Sequence, residues 1–141
     1  MVPPDLLVWP LLAQIGWTFM LYAWLTVVRT RAVRKGRIET SGFVLGRDEP
    51  LEIARITRNL ANQFELPTIF YAVIVLLVVR EQATVWDAAA AWVFVAGRVV
   101  HTLVQTLTDN VTLRGRVFAI NFLAVVFLVG HLAWLLTLGA P

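Results

Sequence analysis

Eight polar residues stand out inside or beside strongly apolar stretches of this chain, and their spacing is helical. Arg55, Arg58, Asn62 and Glu65 recur at i, i+3, i+7 and i+10, which on a helix of 3.6 residues per turn places them in one stripe. Arg98, His101 and Gln105 recur at i, i+3 and i+7 on a second single face, and Arg114 follows a short polar turn. Guanidinium groups set among amides and an imidazole suit a small polar ligand that carries carboxylates. The same side chains also glue neighbouring membrane helices together, at about 1 kcal/mol per interhelical hydrogen bond. The spacing alone admits both uses. Glu65 and Arg98 sit at similar depth if the two stripes run antiparallel, so a structural ion pair between them is expected. Pro67 cannot hydrogen-bond the carbonyl of Gln63, which frees an acceptor beside the first stripe. There is no Cys, so any thiol chemistry must arrive with a substrate, and neither a disulfide nor a metal site is expected.

The elements that must position these groups are membrane helices. Of the 141 residues, 59% are hydrophobic and 15% charged, with a mean hydropathy of +0.75, whereas soluble domains are near half apolar and a quarter charged. A water-soluble globule is thereby excluded. The six Trp, eight Phe and two Tyr set among Leu, Val and Ala runs equally exclude a disordered or nucleic-acid-binding chain. Four stretches, at about 5–29, 52–79, 86–107 and 116–138, are long enough to cross a hydrocarbon core as helices. They are continuously apolar and lack the alternation of barrel strands. The reading is an all-α integral membrane protein, one four-helix transmembrane bundle over residues 1–141. The first apolar run lacks a positive flank and is too long for a signal segment, so it is expected to remain as a membrane helix.

Charge sets the orientation. All Lys and Arg residues except Arg80 lie at the 30–51 connector, near the 114–116 turn, or on the span halves that adjoin them, which makes those loops cytoplasmic and puts both termini on the periplasmic side. Trp9, Trp86 and Trp134 fall at that second surface, where indole rings favour the headgroup boundary. The connector mixes charge with Gly and Pro and is read as a surface segment whose cations contact anionic lipid, each worth about 1 kcal/mol. His131, alone in the fourth span, is read as a satisfied interior residue.

The combination Arg58-x3-Asn62-x2-Glu65 in the second of four spans, with Arg98-x2-His101 in the third and Arg114 opening the fourth, resembles the MAPEG family, the membrane-associated proteins of eicosanoid and glutathione metabolism. The string from Arg58 to Tyr71 is most similar to uncharacterised bacterial members, which implies a bacterial inner membrane. The resemblance implies a homotrimer with glutathione, as co-substrate, bound between subunits near the cytoplasmic surface. Carried over residue by residue, Arg55, Arg58, Asn62 and Glu65 would bind glutathione, joined by His101 and Gln105 from the third span. Arg114 matches the arginine that holds the sulfur and is the catalytic candidate. Arg29 stands for the family's first-span arginine, with Arg31 almost as good a fit.

The activity so implied is a transferase or peroxidase acting on lipophilic small molecules delivered from the bilayer. The family also admits a non-catalytic lipid-binding protein or an accessory subunit of a larger membrane complex. The chain departs from the better-known enzymes at Gln105 and Phe118, where they carry Tyr, and at Gly115, where a Ser assists catalysis.

Overall fold

The computed structural model describes residues 3, 5–44 and 49–138, and within them the chain is helical throughout, with no strand. The long helices are α1 (Asp5–Arg34), α2 (Leu51–Ala61), α3 (Leu66–Val79), α4 (Val85–Leu107) and α5 (Val111–Thr137), with short 3-10 turns at Thr40–Phe43 and Asn62–Phe64. Four stretches, Asp5–Arg34, Leu51–Val79, Val85–Leu107 and Val111–Thr137, are long and apolar enough to cross a membrane. The protein is an integral membrane four-helix bundle. Residues 45–48 of the charged connector and the terminal residues 1, 2, 4 and 139–141, on which part of the orientation argument rests, lie outside the described residues.

The ends of the helices follow local chemistry more than hydropathy. At the end of α1, Gly36 adopts φ +65°, the left-handed conformation that glycine takes without a Cβ penalty. Its N–H reaches the Val33 carbonyl at 2.9 Å and the Arg37 N–H reaches Ala32 at 3.0 Å, so two orphan carbonyls are satisfied and the chain turns away. Thr84 and Asp87 cap α4 reciprocally, each side chain taking the other's backbone N–H. Asn110 accepts from the Leu113 N–H at 2.8 Å, and this cap starts α5 at Val111, ahead of the expected 116.

The second span is not one helix. Pro67 has no N–H and its ring would collide with the carbonyl four residues back, so it is accommodated only in the first turn of a new helix. α2 therefore ends at Ala61, tightens into the 3-10 turn, and α3 begins at Leu66.

Packing divides the bundle into two halves. In the half far from the connector, Leu7, Phe70, Ile74, Leu77, Phe94 and Leu128 are fully buried, with Phe70 and Phe94 stacked at 4.3 Å between ring centroids. In the other half, Leu21, Leu25 and Ala32 of α1 pack on Ile53, Ile56 and Leu60 of α2. Beside that smaller cluster lies a group of buried polar side chains: Gln14, Asn59, Gln63, Arg98, Thr102 and Gln105. The bundle's outer faces are apolar, with Phe19, Phe122, Leu123 and Phe127 exposed as a hydrocarbon environment allows.

Candidate functional site

The polar end of the bundle opens as a cleft of about 230 Å³ where three elements meet. The middle and last turns of α2 bring Arg55 and Arg58, one helical turn apart. The last turns of α4 bring Gln105 and Thr108, and the start of α5 brings Arg114. The short α4–α5 turn, with Asp109 and Asn110, forms the rim. Arg55 is ion-paired with Asp109 across the mouth. Four of the residues expected to hold or activate a ligand thus share one cavity: Arg55, Arg58, Gln105 and Arg114. Three guanidinium groups in a volume this small make it strongly attractive to anions, above all to carboxylates that accept paired N–H donors.

Asn62 and His101 stand just behind that wall. Asn62 donates to Gln105 Oε1 at 3.1 Å. His101 lies one turn before Gln105 on α4, buried, with its ring beside Phe118 at 6.4 Å between centroids and its Nδ1 without a hydrogen-bond partner among the described residues. A buried ring nitrogen in that condition is a rarity that a bound molecule or water resolves.

Arg98 is placed differently from its expectation. The residue is 1% exposed, and no ion pair between it and Glu65 is among those of the described residues. Instead Nε donates to Gln63 Oε1 at 3.3 Å and Nη2 donates to the Asn62 carbonyl at 3.1 Å. The expected pair presumed one uninterrupted helix from Arg55 to Glu65. The break before Pro67 removes that premise: the 3-10 turn advances each residue further around the axis than an α-helix does, and Glu65 ends up exposed at the junction of α2 and α3. The Asn62 carbonyl, released where α2 ends, takes the place the carboxylate was meant to fill.

Arg29 lies in a separate cluster between α1 and α2. It is ion-paired with Glu49, donates to Thr57 Oγ1 at 3.1 Å and sits over the Phe43 ring at 5.0 Å. Thr57 in turn donates to Glu49 Oε2 at 2.7 Å. Arg31 is exposed at the end of α1, and neither arginine lines the cleft of its own chain.

Sequence periodicity passed over Asn59, Gln63, Thr102 and Asp109. Asn59 and Gln63 are spaced i, i+4, and Thr102 follows Arg98 by four, so each pair forms a line beside the stripe already recognised. A polar residue every fourth position within an apolar span was the available signal.

Compared with protein families, residues 7–134 match the model of the MAPEG family. No curated protein sequence and no solved structure matches the chain.

Proposed function

The chain belongs to the MAPEG family, and from that membership we propose that it is a membrane-bound glutathione-dependent transferase or peroxidase acting on lipophilic electrophiles. The observation that carries the proposal is the convergence of Arg55, Arg58, Gln105 and Arg114 on one cleft at the end of the bundle. In this reading Arg55, Arg58 and Gln105 bind the carboxylates and peptide carbonyls of glutathione, and Asn62 and His101 complete the wall. Arg114 holds the sulfur. A thiol with a pKa near 8.5 is mostly protonated at neutral pH, and a guanidinium bonded to the sulfur favours the thiolate; lowering that pKa by about two corresponds to roughly 2.7 kcal/mol. Arg suits the task better than Lys because it stays charged and offers several fixed donors.

The thiolate then forms a carbon–sulfur bond to an electrophile as the leaving group departs, with the thiol proton passed to water. In the peroxidase variant, two glutathione thiols reduce one lipid hydroperoxide to an alcohol and water and become a disulfide. Delivery of either substrate from the bilayer suits a cleft flanked by lipid-facing helices.

Homotrimeric assembly belongs to the same proposal. Glu65 is exposed on the single chain within a membrane-spanning stretch, and a carboxylate at that depth costs at least about 2–3 kcal/mol against hydrocarbon. A neighbouring subunit covers it, and across that boundary Glu65 and Arg29 complete a partner's glutathione site. The cleft faces the cytoplasm of a bacterial inner membrane, with both termini periplasmic.

A non-catalytic lipid-binding or accessory subunit is the second reading, favoured by Phe118 and Gly115, which offer no side-chain donor near the sulfur. The two readings separate in one experiment: detergent-purified protein, glutathione and a general aryl halide electrophile. Conjugation accompanied by thiolate absorbance, both lost in Arg114→Ala, supports the enzyme. Neither signal in the wild type supports the second reading.

A further inference from the structure

The buried amides of the polar half form a hydrogen-bonded chain whose direction is set by groups that can only donate. Arg98 has no acceptor, so its Nε bond at 3.3 Å requires that Gln63 present its oxygen there. Gln14 Nε2 donates to that same oxygen at 3.1 Å. Gln63 therefore points its NH2 toward Asn59, 3.2 Å from the backbone carbonyl and 3.5 Å from Oδ1. The Trp17 indole N–H, also donor-only, reaches Thr102 Oγ1 at 3.3 Å. The single Thr102 proton is shared between Asn59 Oδ1 at 2.9 Å and the Arg98 carbonyl at 3.0 Å. Asn59 thus has its oxygen turned inward, and its Nδ2 donates outward to Gln105 Oε1 at 3.0 Å, where Asn62 Nδ2 also donates at 3.1 Å.

Both lone pairs of the Gln105 oxygen are then taken, and its NH2 makes no hydrogen bond among the described residues while Gln105 lines the cleft. Turning Gln105 over would set its NH2 against two other NH2 groups. Turning Gln63 over would set its NH2 against the donor-only guanidinium of Arg98, and turning Asn59 over would give up the bonds its oxygen takes from Thr102 and Gln63 and set its NH2 against that of Gln63.

We propose that Asn59 and Gln63 are positioning residues that lock the Gln105 amide with its NH2 toward the cleft, so that Gln105 joins Arg55, Arg58 and Arg114 in a wall of donors that selects a carboxylate on the ligand. The inference deepens the glutathione reading of the same cleft and rests on it for the ligand's identity, though not for the direction of the amides. A free Gln amide can turn to present either its NH2 or its oxygen; the lock removes the accepting half. Ligands that offer an acceptor gain from this wall, and those that offer a donor in the same place are rejected.

Calorimetric titration of the purified oligomer with four probes tests it: glutathione, glutathione diethyl ester, glutarate and diethyl glutarate. Wild-type protein prefers each acid over its ester. Gln105→Glu keeps the acceptor for Asn59 and Asn62 and so keeps the bundle intact, but it turns the cleft-facing donor into an acceptor. Asn59→Asp removes the donor that holds Gln105 and lets its amide reverse. Both variants lower the acid-to-ester preference by about tenfold or more, the cost of one mispaired charge-assisted bond. A merely structural role for Asn59 weakens acid and ester alike, and that outcome overturns the proposal, as does an unchanged preference in Gln105→Glu. If glutathione does not bind but glutarate is preferred over its ester and the variants abolish that preference, the donor wall stands and the glutathione reading falls.

Discussion

The two ends of the bundle treat buried polarity in opposite ways. At the end far from the cleft, Asp87 is fully buried, and every hydrogen-bonding need is met within the chain: Oδ2 accepts from the Thr84 N–H and hydroxyl at 2.7 Å each, and Oδ1 lies 2.9 Å from His131 Nδ1. His131 is stacked on Trp134, the interior satisfaction expected of it. At the cleft end, Arg114 lines a cavity without a hydrogen-bond partner among the described residues, and His101 and Gln105 leave polar atoms unbonded. The chain thus completes its hydrogen bonding at one end and lines a cleft with donors at the other, and the proposed function assigns stability to the first and binding to the second. Buried polar groups are expensive when unpaired, so under the proposed function the open end is where a ligand would contribute what the protein does not.

The largest effect should therefore come from the closed end. Asp87→Ala removes the carboxylate that caps α4 and holds His131, and losing a helix cap together with the hydrogen bonds of a buried carboxylate costs about 2–5 kcal/mol. Thermal unfolding in detergent should show a large drop in midpoint, while the folded fraction binds glutathione with wild-type affinity. A loss of affinity with no loss of stability would mean that the two ends are not independent. Next in size is the reverse case, Arg114→Ala. If the arginine supplies roughly 2.7 kcal/mol to the thiolate, conjugation falls by about a hundredfold, and the unfolding midpoint stays within a few degrees because no contact of the bundle depends on that side chain.

Between the two ends lies Gly97. A Cβ there would sit 1.8 Å from Asn121 Oδ1, so α4 and α5 approach closely only because Gly97 has none. Asn121 is fully buried with both side-chain polar atoms unpaired. Gly97→Ala should destabilise by about 1–3 kcal/mol through overpacking. Combining it with Asn121→Ala should recover most of the loss, since the second substitution removes both the clash and the orphaned amide. A double variant no more stable than Gly97→Ala would place the strain in the backbone and not at this contact.

Four membrane helices were legible because apolar runs of that length have few alternatives, and Arg55, Arg58 and Gln105 were legible because a 3.6 period carries faithfully along α2 and α4, while Arg114 stood out by its place after the polar turn and by the family resemblance. Three kinds of residue escaped. Glu65 was displaced because a single Pro two positions later restarts the helix, and a stripe projected across a restart points to the wrong neighbour. Arg29 was drawn toward Glu49 and Thr57, partners that come close because α1 packs against α2, something hydropathy does not encode. Asn59 and Gln63 were hidden for a third reason. They never face the cleft, and their influence on it is visible only in the direction of hydrogen bonds between side chains.

The smallest effect belongs to the rim, and it tests whether the open end is open by design. Arg55 and Asp109 form an ion pair with side-chain exposures of 24% and 88%, and so exposed a pair contributes at most about 1 kcal/mol. Asp109→Asn should leave the unfolding midpoint nearly unchanged. If Asp109 competes with the ligand's carboxylate for Arg55, glutathione should bind about two- to threefold more tightly at low salt, and the gain should fade as salt screens the exposed charges. Glutathione also carries an ammonium group, which gives the opposite outcome a definite meaning. Weaker binding in Asp109→Asn would make the rim carboxylate a contact for that ammonium, and the cleft would then recognise both ends of a zwitterion, with donors on the bundle wall and one acceptor on the rim.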